Sequence, residues 1–153
     1  MVPGLFIGGQ NSALVISKLH ENKIKRVLKV NGVESSIRFS TFGIELKVMD
    51  IDDMPDFNIR PYFEEAHEFI HAGLSCDEGV LVVCTAGISR SAAIVISYLI
   101  RHNNMTFDEA FKTTKTARVY IQPNPGFERT LKLYAAKLRC ELCNLQPKTP
   151  WFE

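Results

Sequence analysis

Blocks of apolar residues, broken by glycine, proline and short polar stretches, predict strands and helices in alternation along this chain. Strands are predicted at residues 4–9, 27–30, 44–49 and 80–84. The last of these is apolar throughout, which is typical of a strand that is buried on both faces. Strands that alternate with helices predict an α/β fold with a mostly parallel central sheet of about five strands and helices on both faces.

The helices are predicted from their caps and their apolar spacing. Ser12 is the predicted N-cap of a helix through about Asn22, and Asn58 caps a helix with Pro61 in its first turn. An apolar run at 92–100 predicts a buried helix. Two later helices are predicted to begin at a Thr106–Glu109 capping box and at Asn124 followed by Pro125.

The length and charge of the chain restrict the classes of protein to consider. Its 153 residues and formal net charge of +1 predict one domain over residues 1–146 and a tail over 147–153. The near-neutral charge gives no reason to expect a nucleic-acid partner. No segment has the ~20 apolar residues of a membrane span, so we expect no membrane partner. The sequence does not indicate the oligomeric state.

Four cysteines are present, at positions 76, 84, 140 and 143, and they form no recognisable disulfide framework. Their free thiols favour the cytoplasm, the nucleus or both. Cys140 and Cys143 form one C-x-x-C without further ligands nearby, so we predict an incidental pair and no metal site. His67 and His71 share a helix face by their spacing and are predicted to lie in solvent.

The candidate nucleophile and anion-binding residues follow one another where the predicted strand 80–84 ends, in the sequence Cys84-Thr-Ala-Gly-Ile-Ser-Arg90. The five residues between Cys84 and Arg90 can curl so that their N–H groups face inward beside a helix N-terminus, which is an anion site. Gly87 has no side chain, so an anion can come close to the backbone there. The planar guanidinium of Arg90 can bind two oxygens of an oxyanion. The same positive field lowers the pKa of the thiol and makes it a nucleophile.

The predicted anion-binding residues are those of this loop, and Ser91 follows them in a position to donate a hydrogen bond to the sulfur. Backbone N–H groups and one guanidinium supply the binding: Thr85, Ala86, Gly87, Ile88, Ser89 and Arg90. The alternative interpretation is a buried cysteine at a strand end and a solvated arginine at a helix start.

The C-x5-R spacing resembles the protein tyrosine phosphatase superfamily. More narrowly, residues 84–91 resemble the H-C-x-x-G-x-x-R-S motif of dual-specificity protein phosphatases. The resemblance runs from about residue 5 to 138 and implies the phosphatase-like fold. One position departs from the motif, because Val83 stands where the family has a histidine that holds the loop and tunes the thiolate.

A phosphatase of this kind needs a general acid for the leaving oxygen. Asp50, Asp52, Asp53 and Asp56 all follow the third predicted strand, and spacing alone leaves the choice open. The resemblance selects Asp53, because the family carries its acid a few residues before a run like Phe57-Asn-Ile-Arg-Pro-Tyr-Phe63.

The resemblance also covers Arg118 and the run Pro123-Asn-Pro-Gly-Phe127, in which the family asparagine supports the phosphate loop. For Asn124 this role stands beside the helix-cap role, and the sequence is consistent with both.

The resemblance implies a phosphatase that acts on phosphotyrosine and phosphoserine or phosphothreonine in proteins through a phosphocysteine intermediate, without a cofactor. Its partners would be phosphorylated proteins. The loop has no lysine to meet additional phosphates, so lipid substrates are disfavoured. Val83 motivates an alternative, a phosphatase-fold module that binds phosphorylated proteins with little or no turnover.

Overall fold

The computed structural model describes residues 1–145, so the predicted tail at 147–153 lies outside the described residues. The strands are β1 (Leu5–Gly9), β2 (Ile24–Lys29), β3 (Glu45–Val48) and β4 (Gly79–Cys84). The α-helices are α1 (Ile16–Glu21), α2 (Phe63–Ser75), α3 (Arg90–His102), α4 (Phe107–Ala117) and α5 (Pro125–Leu145). Short 3₁₀ helices cover Gln10–Leu14, Phe39–Phe42 and Arg60–Tyr62.

The sheet is entirely parallel, with the strand order β1-β4-β2-β3. The predicted α/β class and parallel sheet are therefore confirmed, but within the described residues the sheet has four strands rather than about five. The polar segments between β2 and β3 and between β3 and α2 contain only turns and 3₁₀ helices, so they add no strand. Strand β4 lies inside the sheet, with β1 and β2 as its neighbours.

Alternation along β4 divides the core into two parts, one on each face of the sheet. Val80, Val82 and Cys84 face the larger part, which α2, α3 and α5 cover. Leu81 and Val83 face the smaller part, beside α1. Because both faces are covered, β4 is buried along its whole length, as its apolar sequence predicts.

Two of the predicted caps form as expected and two do not. Thr106 and Glu109 make both hydrogen bonds of a capping box at α4, and Asn124 Oδ1 accepts the Phe127 N–H at the start of α5. The Ser12 prediction is wrong, because Ser12 lies within a 3₁₀ turn and α1 begins only at Ile16. The Asn58 prediction is also wrong, because α2 begins only at Phe63, after the 3₁₀ turn Arg60–Tyr62; Asn58 Oδ1 accepts the Arg60 N–H but is not the cap of either helix.

The prediction of a solvated face is right for His71, which is exposed, and wrong for His67. His67 is 4% exposed, its Nε2 lies 2.8 Å from Ser97 Oγ, and its ring packs against Phe63, Tyr98 and His102. Burial, together with the positive charge of neighbouring His102, lowers the pKa of His67 to about 3. The neutral imidazole is therefore a part of the core between α2 and α3.

Candidate active site

Cys84 is the last residue of β4 and lies opposite Gly9 of β1, at the carboxyl end of the parallel sheet. Ligands bind at this end of parallel α/β sheets, where loops connect strands to helix N-termini. The loop of residues 85–89 runs from Cys84 directly to Arg90, the first residue of α3. Cys84 is only 2% exposed, so its sulfur lies at the bottom of the space that this loop encloses.

Four consecutive carbonyl groups of the loop accept hydrogen bonds from residues outside it. The donors are Gln10 N–H to Thr85 O (3.2 Å), Arg118 Nη2 to Ala86 O (3.0 Å), Arg118 Nε to Gly87 O (2.8 Å) and Gln122 N–H to Ile88 O (2.8 Å). In a planar trans peptide the carbonyl and the following N–H point in opposite directions. The N–H groups of residues 86–89 are therefore turned toward the inside of the loop.

Gly87 allows this curvature. Its φ is +70°, in the left-handed region that favours glycine, and a Cβ at this position would lie 2.5 Å from the backbone of Gly8 and Gly9. The end of β1 thus packs directly against the loop, and a side chain at position 87 would force the two apart.

The sulfur of Cys84 is held inside this cup by two hydrogen-bond contacts. The Gly87 N–H and the Ser91 hydroxyl each lie 3.3 Å from Cys84 Sγ. Burial alone raises the pKa of the thiol, but the Ser91 hydroxyl and the N–H groups of Ser91, Gly87 and Ile88 lower it, and the net result is a pKa below the ordinary value. The geometry therefore favours a thiolate.

Arg90 is held at the edge of the cup by two hydrogen bonds. Its Nη1 donates to Ile51 O and its Nη2 to Thr85 Oγ1, both at 3.1 Å. Asn31 Nδ2 also donates to Thr85 Oγ1, at 3.2 Å. Arg90 Nε is buried and has no hydrogen-bond partner within residues 1–145. The Nε–H group, with the second hydrogen of each terminal nitrogen, thus remains for a ligand, and an oxyanion is the ligand that such a fork suits.

Asp53 is joined to the loop by hydrogen bonds. Its Oδ1 accepts from Ser89 Oγ at 2.7 Å and from Asn124 Nδ2 at 2.9 Å. Ser89 Oγ in turn accepts the Asn124 N–H at 2.9 Å. This network brings Asp53 to the cup, as the resemblance implies. With Oδ1 accepting both bonds, Oδ2 is the oxygen of Asp53 on which a proton would lie.

Asn124 combines the two roles that the sequence left open. Its side-chain oxygen caps α5, its side-chain amide binds Asp53, and its backbone N–H reaches the loop through Ser89. Close packing keeps these groups together, because a Cβ on Gly126 in the first turn of α5 would overlap the carbonyl oxygen of Pro55.

Val83 occupies the position of the family histidine. Its side chain is fully buried in the smaller core beside Leu81 and points to the opposite face of the sheet from Cys84. An isopropyl group there offers no hydrogen bond to the loop. Contacts from Gln10, Arg118 and Gln122 hold the loop instead.

Those supporting residues went largely unpredicted. Arg118 could be found only as a residue matched by the resemblance, without an assigned contact. Gln10 and Gln122 act through their backbone N–H groups, which every residue except proline has, so no side-chain signal exists for them. The sequence does not single out Asn31 either, and its position two residues after the end of β2 is the one signal that could have indicated it.

The described residues contain neither a membrane-spanning helix nor a metal-binding cluster. Within residues 1–145, no helix combines the length and apolar character that crossing a bilayer requires. In the same residues, no three His, Cys, Asp or Glu side chains are grouped closely enough to hold a metal ion.

Comparison with known proteins identifies relatives over nearly the whole chain. A MAP kinase phosphatase with leucine-rich repeats from Dictyostelium discoideum is 40% identical over 92% of this chain, and dual specificity protein phosphatase 19 from Mus musculus is 41% identical over 86%. The chain spans only 16% and 59% of the lengths of these two relatives. The crystal structure of human DUSP28 superimposes with a TM-score of 0.84 at 26% identity, over 92% of this chain and 96% of that one.

The family model for the dual specificity phosphatase catalytic domain matches residues 5–137, a range that contains the cysteine loop, Asp53 and Asn124. The relatives, the fold and the arrangement around Cys84 agree with this match. The chain belongs to the dual specificity phosphatase family.

Proposed function

We propose that this chain is a cysteine-dependent protein phosphatase that hydrolyses phosphotyrosine and phosphoserine or phosphothreonine through a phosphocysteine intermediate. The observation that carries the proposal is the cup around Cys84 Sγ, in which four outward carbonyls turn four N–H groups inward and Arg90 Nε has no other partner. Donors fixed in advance around the position of developing charge stabilise a transition state strongly.

The first chemical step forms one bond and breaks another. The Cys84 thiolate attacks phosphorus while the inward N–H groups and Arg90 hold the equatorial oxygens. The bond from phosphorus to the substrate oxygen breaks, and Asp53 gives that oxygen a proton from Oδ2. The dephosphorylated side chain leaves as a neutral hydroxyl, and the phosphoryl group remains on the sulfur.

The second step returns the protein to its starting state. Asp53, now ionised, takes a proton from a water molecule as that water attacks the phosphorus. The phosphorus–sulfur bond breaks, inorganic phosphate leaves, and the Ser91 hydroxyl donates a hydrogen bond to the departing thiolate across the 3.3 Å contact. Neither step requires a metal ion or a cofactor.

The lack of charged side chains in the loop supports protein substrates. Its side chains between Cys84 and Arg90 carry no charge, so the cup itself binds one phosphate and does not provide cations for several. We further propose that residues 1–146 act as one catalytic domain on phosphorylated proteins, without nucleic-acid or membrane partners. A thiolate nucleophile requires a reducing compartment, so we propose the cytoplasm, the nucleus or both.

Turnover of a small aryl phosphate tests the proposal. Cys84→Ser is expected to abolish turnover while leaving phosphate binding intact, because the loop N–H groups and Arg90 remain. Cys76→Ser is the matched control, since Cys76 is an exposed free cysteine outside the cup, and it should retain full activity.

Retained turnover in Cys84→Ser would rule out the proposed nucleophile. Phosphate binding without turnover in the unsubstituted protein would instead establish the binding-module alternative that Val83 motivates.

A further inference from the structure

Asn31 is a buried polar side chain that neither chemical step of the proposed reaction uses. It lies two residues beyond the end of β2 and is only 8% exposed. The Val30 N–H donates to Val83 O, and the same register between β2 and β4 carries Asn31 to the side of Thr85, the first residue of the loop. Asn31 Nδ2 donates to Thr85 Oγ1 at 3.2 Å, so a side chain beyond the end of β2 contacts the cup directly.

Three contacts determine which end of the Asn31 amide faces Thr85. Its Oδ1 accepts the Val33 N–H at 3.4 Å, and its Nδ2 donates to Gln10 Oε1 at 3.5 Å as well as to Thr85. A flipped amide would place its oxygen against the Gln10 oxygen and its NH₂ group against the Val33 N–H. Both of those contacts would be repulsive, so the donor end of the amide faces Thr85 Oγ1.

Thr85 Oγ1 passes this support to Arg90. The same oxygen accepts from Arg90 Nη2 at 3.1 Å, while Arg90 Nη1 donates to Ile51 O at 3.1 Å. Hydrogen bonds on two different nitrogens fix the plane of the guanidinium, whereas the bond to Ile51 O alone would leave that plane free to turn. A planar fork binds two oxygens of a phosphoryl group only when its plane is aligned with them.

The hydroxyl of Thr85 depends on Asn31 for its orientation. Thr85 is exposed, so core packing does not select its side-chain rotamer. The staggered rotamers of a threonine exchange the positions of its hydroxyl, its methyl group and its hydrogen. Only the rotamer in which Oγ1 lies 3.2 Å from Asn31 Nδ2 and 3.1 Å from Arg90 Nη2 serves both donors. The hydrogen bond from Asn31 therefore favours the rotamer that holds Arg90.

This link from β2 matters because Val83 gives the loop no polar support. Val83 is apolar, is buried in the smaller core, and lies two residues before Thr85. Arg118 and the Gln122 N–H hold the carbonyls of residues 86–88, so they fix the inward N–H groups rather than the guanidinium. Asn31 and Thr85 supply side-chain support for the guanidinium itself.

We propose that Asn31 is a positioning residue for phosphoryl transfer, because it holds the Thr85 hydroxyl in the orientation that aligns the Arg90 guanidinium with the equatorial oxygens of the phosphoryl group. This inference rests on the proposed function, since the reaction that it concerns is hydrolysis of a phosphate ester in the cup. Asn31 donates to Thr85 and not to the substrate, so its effect passes through Arg90.

Substitutions that remove the link test the inference in turnover of a small aryl phosphate. Asn31→Leu keeps the approximate size of the side chain and removes its donors. It should lower kcat/KM about tenfold, the loss expected when one hydrogen bond to a charged group is released. Thr85→Val should cause the same loss, and Thr85→Ser, which keeps the hydroxyl, should retain most of the activity. Asn103→Leu, an exposed position at the other end of α3 from Arg90, is the matched control and should have no effect.

The pKa of Cys84, measured from the pH dependence of alkylation, separates positioning of Arg90 from general damage to the cup. The groups that lower this pKa are on Ser91, Gly87 and Ile88, and within residues 1–145 none of the hydrogen bonds of the Asn31 side chain involves them. Asn31→Leu should therefore lower kcat/KM and leave the pKa of Cys84 close to that of the unsubstituted protein. General damage to the cup would change both.

Non-additivity tests whether Asn31 acts through Thr85 and Arg90. The double variant Asn31→Leu, Thr85→Val should lose about tenfold rather than about a hundredfold, because both substitutions break the same series of contacts. In the Cys84→Ser chain, Asn31→Leu should weaken the binding of inorganic phosphate, and it should have no further effect once Arg90→Lys is present. If Asn31→Leu fails to fold, Asn31→Ser, whose side chain is too short to keep the bond to Thr85, serves instead.

Three results would overturn the inference: an unchanged kcat/KM in Asn31→Leu, a loss in Thr85→Ser equal to that in Thr85→Val, or an additive loss in the double variant. A rise in the pKa of Cys84 as large as that in Ser91→Ala, or weaker phosphate binding by Asn31→Leu in the presence of Arg90→Lys, would also overturn it. Failure of the proposed function is recognised separately, because the unsubstituted chain would then not hydrolyse the aryl phosphate. Phosphate binding by the Cys84→Ser chain would still report on Asn31.

Discussion

Replacement of Arg118 by methionine tests whether the cup depends on support from outside. Arg118 joins the end of α4 to the loop through two short hydrogen bonds, to Ala86 O and Gly87 O. Methionine keeps the apolar stem of the side chain and removes both donors. The carbonyls would then be free to turn, and the N–H groups that follow them would turn away from Cys84.

The expected magnitude follows from those two bonds. A hydrogen bond from a charged donor contributes about 1.5 kcal/mol at the lower end of its range, so two contribute about 3 kcal/mol. Arg118 is partly exposed and water can replace some of this, which sets about 1.5 to 3 kcal/mol as the range. The fraction of molecules with a formed cup, and with it kcat/KM, should fall about 10- to 150-fold.

Three measurements distinguish this role from general destabilisation: kcat/KM on an aryl phosphate, the pKa of Cys84 from the pH dependence of alkylation, and the melting temperature. Arg118→Met should lower kcat/KM and raise the pKa of Cys84, because the Gly87 and Ile88 N–H groups help to lower it. Arg118→Lys keeps a charged donor for one carbonyl, although it cannot span both with a planar fork. It should therefore lose less activity than Arg118→Met. Arg129→Met, an exposed position on α5, is the control. The reasoning would be refuted if Arg118→Met kept kcat/KM within twofold of the unsubstituted protein and the pKa of Cys84 within 0.3 units of it.

Three further predictions concern titratable groups. Ser91→Ala should raise the pKa of Cys84 and shift the acidic limb of the pH–rate profile upward; an unchanged profile would exclude Ser91 from tuning the thiolate. Asp53→Asn should slow alkyl phosphates much more than activated aryl phosphates, and equal slowing would indicate another acid. Below pH 6.5 the unfolded chain protonates His67 while the folded chain keeps it neutral down to about pH 3, so stability falls as pH falls. Between pH 7 and 4 this group alone should cost about 3 kcal/mol in denaturant unfolding, and His67→Gln should show a smaller loss; an equal loss would contradict the burial argument.

The part of the site that the sequence predicts best is the part that is continuous in sequence. Cys84, the loop and Arg90 lie within one strand–loop–helix unit, so local spacing and glycine chemistry determine their arrangement. Asp53 required the resemblance, because four aspartates share its loop. What singles it out physically is the contact with Ser89 and Asn124, which come from distant parts of the chain.

The predictions that failed depend on tertiary packing. A helical pattern shows that His67 and His71 share a face, but not that Tyr98 and His102 of α3 pack over His67 while His71 stays exposed. Ser12 has the composition of a cap, yet the chain bends there in a 3₁₀ turn and starts its helix later. The support of the loop by Gln10 and Gln122 uses backbone groups and has no signature in the sequence.

The central claim is that the Cys84 sulfur receives the phosphoryl group. Acid quenching during steady turnover of a phosphorylated peptide, followed by mass spectrometry of the proteolytic fragment that contains Cys84, tests it most directly. The account predicts phosphate attached to that sulfur, and no adduct in Cys84→Ser. Turnover that continues at full rate with no phosphate on the Cys84 fragment at any quench time would contradict the account.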